Sequence, residues 1–400
     1  MTHLLIVGQG LAGLFAANLA VRKGLQVSLI SQGRGGLSLS HGCLDLGGTT
    51  RSLPARHPYR LAGFGRLPAA VDAFRQIVLL EGIEFLGNPT VPMTLPTAAG
   101  RLRQTHLAPR SMARGGAAQG TRVVIAGFDG FRDFDAEFVA DGIRQAGGAA
   151  ESVSLPLPEE SRRDLYSTDF ARRFDRTWTP EQLSSLWGPR LGKGSLLGVP
   201  AVLGLDRAPQ THAALERSLG VGVFEIPTLP PSVPGLRLER ALRRQALQGG
   251  CRLIEGPSVV GRVDGRSGGD RVLGVVAATS AGPRAFEADA VVLATGGFLN
   301  GGLRADRAGR VAESVFDLPI EAPAERDEWV GDGCLGHHPY DLLGLRVNER
   351  MQPVDQQGRA YFENLFACGG LLGGADRRRE RSRQGIDLVT AYAALEYAAP

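Results

Sequence analysis

The chain is poor in several things that would announce a function. Only four of its 400 residues are cysteine. Cys43, Cys251, Cys334 and Cys368 lie far apart with no C-x-x-C pair, which excludes a locally encoded zinc ribbon or iron–sulfur ligand set and reads as reduced thiols. Lysine is almost missing: Lys23 and Lys193 are the only two among 45 basic residues, and against 41 acidic ones the net charge is just +4. For this length that predicts no general affinity for nucleic acid. No apolar run approaches the roughly 20 residues of a membrane helix. The first strand begins at His3, with no positively charged leader before it, so the expectation is a cytoplasmic protein with at most peripheral membrane contact.

What is present is glycine, 55 residues of it, and 24 prolines. The length exceeds what one core normally organises, so two intertwined domains are expected. Residues 3–7 read as a buried strand, 11–23 as a helix and 26–30 as a second strand, making a βαβ unit. Its turn carries Gly8-x-Gly10-x-x-Gly13. Gly8 permits the tight bend, Gly10 lets phosphate oxygens reach the backbone, and Gly13 lets helix and strand pack closely. The first helical turn, with Leu11 and Ala12, offers unpaired amides to an anion.

The second strand ends at Ser31 and Gln32, where dinucleotide sites usually place a carboxylate for the adenosine ribose. Its absence favours FMN, or an FAD held by neutral hydrogen bonds from those two residues. The following stretch, Gly33–Gly48, is too glycine-rich for regular structure. It offers Ser38, Ser40, His41 and Gly42 to a flavin ring or substrate, and His41 is the one candidate for proton transfer. His337 and His338, beside Pro339, lack ligand spacing, so no metal site is expected.

A second βαβ pattern runs through a strand at 121–127, a helix over 134–146 and a strand at 150–155. Its turn, Gly127-Phe128-Asp129-Gly130, lacks the three-glycine spacing and reads as a Rossmann-like insertion without a cofactor. Helical patterns follow near 161–173, 179–187 and 209–219, then a proline-rich approach to a helix ending near Gln248. Strands recur at 251–254, 257–263, 271–278 and 289–294. The last of these ends in "LATGG" (293–297), and a final strand ends in "ACGG" (367–370), before a helix from Gln384 to Tyr397. Ligands gather at such carboxyl ends of parallel strands, so Thr295, Gly296, Gly369 and Gly370 are expected to close the pocket by backbone contacts, with Gly385 at the start of the last helix. Three glycine turns spread along one chain point to a two-domain flavoprotein of the α/β, Rossmann-like class. Its flavin domain is expected to comprise 1–50, 250–310 and 360–400, with 51–249 inserted and 311–359 connecting. The run "DRRRERSRQG" (376–385) reads as a solvated loop, a phosphate-capturing segment, or a docking surface for an acidic partner or anionic lipid.

Together, "LIVGQGLAGLFAA" (5–17), "LSHGCLDL" (39–46), "HPYRLAG" (57–63), "GFDGFRDF" (127–134), "IPTLPPSVPGLRLERALRRQALQGG" (226–250), "LATGGFLNGGL" (293–303) and "ENLFACGGLLGG" (363–374) resemble the B subunit of the anaerobic glycerol-3-phosphate dehydrogenases of bacteria. The resemblance spans essentially the whole chain, and the proline-rich segment is its most specific part. It implies an FMN-bearing flavin protein that pairs with an FAD-bearing A subunit and an iron–sulfur, membrane-associated C subunit. Such a complex oxidises glycerol 3-phosphate to dihydroxyacetone phosphate and passes electrons to quinone from the cytoplasmic face of the inner membrane. The chain departs from the family pattern in placing Arg377, Arg378, Arg379, Arg381 and Arg383 where relatives carry a glycine-rich loop. Two other readings stay open: an independent FAD-dependent oxidoreductase of a small hydroxy acid or amine, and a structural partner that has lost its flavin.

Overall fold

The computed structural model describes residues 2–47, 53–159, 165–192, 196–263, 270–333 and 336–398. The chain divides into two compact units, one of Met1–Gly36, Asp45–Ile77 and Leu242–Pro400, the other of Leu37–Leu44 and Val78–Ala241.

The first unit is built on a five-stranded parallel sheet, in the order Arg252–Glu255, Gln26–Ser31, His3–Val7, Ala290–Leu293, Leu365–Ala367. The central strands are nearly continuous apolar runs because both faces are covered: Leu4, Leu5, Ile6, Val291, Val292 and Leu293 are fully buried. Helices Leu11–Arg22 and Arg383–Ala398 belong to this unit. Asn18 ties the first helix to its surroundings, donating from Nδ2 to the carbonyls of Leu14 and Leu242, both at 2.8 Å. The sheet order reverses direction at His3–Val7, whose neighbours are the second strand on one side and a strand from the far end of the chain on the other. That reversal opens a crevice at the carboxyl edge, where the turns after Val7, Leu293 and Ala367 all emerge.

The second unit has its own parallel sheet, in the order Val223–Ile226, Leu196–Pro200, Val123–Phe128, Ala150–Leu155. Its core is aromatic. Phe128 stacks on Trp187 at 5.4 Å and on Phe170 at 6.0 Å, and Phe174 meets Trp178 edge-on at 5.2 Å. A buried ion pair fixes one edge: Arg237 donates to both carboxylate oxygens of Glu225 at 2.6 and 2.8 Å and to the Gly204 carbonyl at 2.6 Å. Burial raises the Glu225 pKa, but Arg237 outweighs it and holds the carboxyl below its ordinary value.

The unit boundaries differ from those expected of the sequence. Residues 53–77, expected in the insertion, lie in the first unit because Tyr59 is buried there with its hydroxyl donating to the Leu46 carbonyl, and Arg66 pairs with Glu396 at 2.7 Å. The segment 311–359 also belongs to the first unit, while Leu37–Leu44 belongs to the second. The helical pattern near 161–173 is realised as Ser167–Arg176, with residues 160–164 outside the described set. Strands Leu196–Pro200 and Val223–Ile226 are not evident in the sequence, the first being a short apolar run broken by Gly198 and Pro200 and the second a four-residue run broken by Glu225.

Candidate functional site

The site grows from the turn after the first strand. Gly8 has φ +106°, a conformation glycine adopts without steric cost, and a Cβ there would run into the Ala294 carbonyl oxygen. A Cβ at Gly13 would run into the Gly8 carbonyl oxygen, so helix and turn close on each other only with glycine at both places. Gly10 is different: a Cβ on it would meet nothing within 4 Å. It is the helix N-cap and supplies no side-chain hydrogen bond, and the first intrahelical bond runs from Leu14 to the Gly10 carbonyl at 3.0 Å. The amides of Leu11, Ala12 and Gly13 therefore precede the ladder at the positive end of the helix, with the Cβ direction of Gly10 open and Gly35 lying against the Gln9–Gly10 backbone.

Two further turns come to this edge. Thr295 follows the fourth strand of the sheet, and among the described residues its buried hydroxyl has no hydrogen-bond partner. Gly296 and Gly369 have φ +77° and +68°. The two turns lie close, since a Cβ on Gly297 would stand 3.3 Å from the Gly370 carbonyl oxygen. Gly369 also abuts the first helix: a Cβ on it would lie 2.6 Å from that of Ala12. Its amide is not available to a ligand, because it donates to Thr390 Oγ1 at 2.9 Å. Gly8 likewise donates its amide, to the Ile30 carbonyl at 2.8 Å. Both glycines act in this turn cluster through shape, and the open amides are those of the helix start.

The second strand ends beside this turn, where Gln9 Nε2 donates to the Gly33 carbonyl at 3.3 Å. Ser31 is buried and spends its hydroxyl on the Gly33 carbonyl, while Gln32 is exposed. Ser38, Ser40, His41 and Gly42 belong to the second unit. There Ser40 Oγ accepts from the Gly42 amide at 3.2 Å and His41 Nδ1 accepts from the Cys43 amide at 3.1 Å. His41 lines a small cavity with Cys43, Leu95, Thr97, Arg103 and Pro227. At Gly385 the space a side chain would take is filled by the Tyr59 hydroxyl and by Leu46, so packing alone demands glycine there.

Sequence reasoning misses Gln9 and Glu255. Glu255 pairs in register with Ser31 across neighbouring strands, and its carboxylate accepts from Gln9 Nε2 at 2.6 Å and from both Nη atoms of Arg243. Only the strand order, which is not local information, brings them together. Hydrogen bonding to Arg243 holds this carboxyl below its ordinary range. Asp387, also missed, lies 3.9 Å from Arg377, and burial pushes its pKa up to about 6. Among the described residues no group of three or more His, Cys, Asp or Glu could hold a metal ion, and no helix is long and apolar enough to cross a membrane.

These residues fit the phosphate-bearing end of a flavin: a turn shut tight at Gly8 and Gly13, open at Gly10, with an uncapped helix start and a buried, unpartnered hydroxyl nearby. Residues 3–382 match the model of a family described as an FAD binding domain. The chain is 31% identical, over 98% of its length and 96% of the relative's, to a protein of Halobacterium salinarum named as the probable B subunit of an anaerobic glycerol-3-phosphate dehydrogenase. It is 30% identical, over 97% and 96%, to the B subunit of the anaerobic glycerol-3-phosphate dehydrogenase of Pectobacterium atrosepticum. Among solved structures, a 3-ketosteroid-Δ4-(5α)-dehydrogenase from Rhodococcus jostii RHA1 matches 100% of this chain and 97% of its own at 14% identity, with a TM-score of 0.38.

Proposed function

The chain belongs to the FAD binding domain family and to the family of anaerobic glycerol-3-phosphate dehydrogenase B subunits, and from that premise we propose that it is the FMN-carrying member of such a dehydrogenase. It is a flavin-dependent oxidoreductase of a multi-subunit type. In the proposed reaction the secondary alcohol of glycerol 3-phosphate becomes the ketone of dihydroxyacetone phosphate. The two electrons and two protons released reduce one quinone to quinol. The partners would be an FAD-bearing A subunit and an iron–sulfur C subunit, and the latter holds the assembly at the cytoplasmic face of the inner membrane. A bound flavin supplies the two-electron acceptor and can return its electrons singly. The chain's own part is to grip and orient: the first-turn amides of Leu11–Gly13 take the phosphate, and the Thr295 hydroxyl supplies a further polar contact beside the glycine turns.

The observation that carries this reading is the open, uncapped turn at Gly10 in a chain that matches its relatives from end to end. FMN rather than FAD is supported by the far side of the sheet edge. No carboxylate stands at Ser31 or Gln32, and the nearest in register, Glu255, is already bonded by Arg243 and Gln9. With three donors already on its two oxygens, that carboxylate keeps at most one acceptor position for a ribose diol. Heating the purified protein and separating the released flavin chromatographically tests this. FMN, with two co-eluting chains in the native preparation, is the expected result. FAD with turnover by the isolated chain would favour the independent oxidoreductase instead, and colourless protein that stays empty with excess FMN or FAD would overturn the flavin reading.

A further inference from the structure

Of the five arginines in 377–383, four have plain surroundings. Arg378 donates to the Gly336 carbonyl at 2.8 Å and to Asp341 at 3.2 Å, Arg379 and Arg381 are exposed, and Arg383 opens the last helix at an exposed position. Arg377 is the exception. Its side chain is only 17% exposed. Its Nη1 atom lies 3.2 Å from where a Cβ on Gly370 would stand, and the same point is 3.2 Å from Gly296 Cα and 3.5 Å from the Gly297 amide nitrogen. The guanidinium thus sits where the second and third glycine turns meet.

It is also under-partnered. A guanidinium carries five N–H donors in a rigid fork. Among the described residues Arg377 uses one of them, from Nη2 to the Leu372 carbonyl at 3.3 Å, and its nearest carboxylate is Asp387 at 3.9 Å, beyond hydrogen-bond reach. A cation withdrawn from water and left with most donors unused is costly unless an anion completes it. The glycines bring bare backbone up to the guanidinium, whose Nη1 stands against the Cβ position of Gly370 while Asn300 fills that of Gly296, and a fork of this kind matches the oxygens of a phosphate.

We infer that Arg377, backed by Gly296, Gly297 and Gly370, forms a phosphate-monoester site at the glycine turns of the first unit, with Asp387 opposing the charge and keeping the binding reversible. The inference rests on the flavin-protein reading for the identity of its ligands: the phosphate belongs either to FMN or to glycerol 3-phosphate, and the two sources separate by experiment. The chemistry is binding only, with no bond made or broken.

The test compares wild type with Arg377→Gln, Asp387→Asn and, as a surface control, Arg378→Gln. FMN and riboflavin, which lacks the phosphate, are titrated by fluorescence, and glycerol 3-phosphate by calorimetry with and without FMN. If the phosphate is that of FMN, Arg377→Gln weakens FMN tenfold or more and leaves riboflavin within twofold. If it is that of the substrate, both flavins are unchanged and glycerol 3-phosphate weakens tenfold or more. In either case Asp387→Asn tightens the same ligand severalfold, a change that a merely structural role would not produce and that decides the matter should Arg377→Gln fail to fold. Arg378→Gln stays within twofold throughout. Equal FMN, riboflavin and glycerol 3-phosphate affinities across wild type and both site variants would overturn the inference. A wild type that takes up no flavin sinks the flavin reading yet leaves the glycerol 3-phosphate comparison to decide this one; one that binds neither overturns both.

Discussion

The two units each contain a parallel strand–turn–helix, and they finish it in opposite ways. In the first unit the helix begins at Gly10 with no side-chain cap, and a Cβ on Gly10 would meet nothing within 4 Å, while Gly35 packs on the Gln9–Gly10 backbone from another side. In the second, the helix Ala136–Gln145 begins at Asp135, whose carboxylate accepts from the Phe138 amide at 3.0 Å, and Asp129 in the same turn accepts from the Ser154 hydroxyl. The cap replaces the anion: an Asp at that position satisfies the donors that a phosphate would otherwise take. The buried carboxylates show the same contrast. Glu225 in the second unit is completed by Arg237, whereas Glu313 in the first is fully buried and, among the described residues, accepts only the amides of Val315 and Phe316 at 2.8 and 2.7 Å. The contrast is one of degree: among the described residues the second unit leaves the buried Trp178 Nε1 without a hydrogen-bond partner, while the first leaves both Gln9 Oε1 and Thr295 Oγ1 so.

The comparison can be broken most forcibly at the ion pair. Arg237→Met leaves Glu225 buried and unpaired and should cost about 3–5 kcal/mol in urea unfolding, while flavin bound per folded molecule stays constant; a loss below about 1 kcal/mol would show that the second unit does not depend on this pair. Glu313 gives the next effect. Burial raises its pKa from 4.5 to about 7, so the folded state holds a proton that the unfolded state releases. Its stabilisation is complete below pH 4.5 and is lost as the pH rises through 7, by roughly 3 kcal/mol in all. Glu313→Gln should flatten that part of the stability–pH curve, and an unchanged slope would refute the assignment. Gly13→Ala forces apart the helix and the Gly8 carbonyl, for a cost of about 1–3 kcal/mol together with loss of bound flavin. Smallest is Asp135→Ala, which uncaps the second unit's helix for about 1 kcal/mol and should leave flavin affinity untouched. If it lowered flavin affinity, the claim that only the first turn serves a cofactor would fail.

Much of this contrast can be read from the chain itself. Gly8, Gly10 and Gly13 sit in a strand–turn–helix pattern that is local, and the four-residue turn at Gly127 visibly lacks their spacing. Apolar runs such as "LLIV" and "VVL" signal strands covered on both faces, and the last helix, expected from Gln384 to Tyr397, spans Arg383–Ala398. What escapes depends on distant pairing. Glu255 reaches Ser31 and Gln9 only through the order of strands, and Asp387 gains its setting only once the turns at Gly296 and Gly370 converge. Tyr59 looks like an ordinary surface tyrosine until the last helix covers it; burial then raises its hydroxyl pKa well above the ordinary value. The arginine run misleads in the opposite sense, since five like residues in sequence hide the single one drawn inward.

Gly10→Ala tests the account most directly. The position has φ −75° and nothing within 4 Å of an added methyl, so the fold should accept alanine at a cost under about 1 kcal/mol. If backbone amides there hold a flavin phosphate, the same methyl stands in the ligand's way, and FMN affinity measured by fluorescence should fall at least tenfold with riboflavin binding less affected. A Gly10→Ala variant of wild-type stability that binds FMN as tightly as the parent would contradict the account.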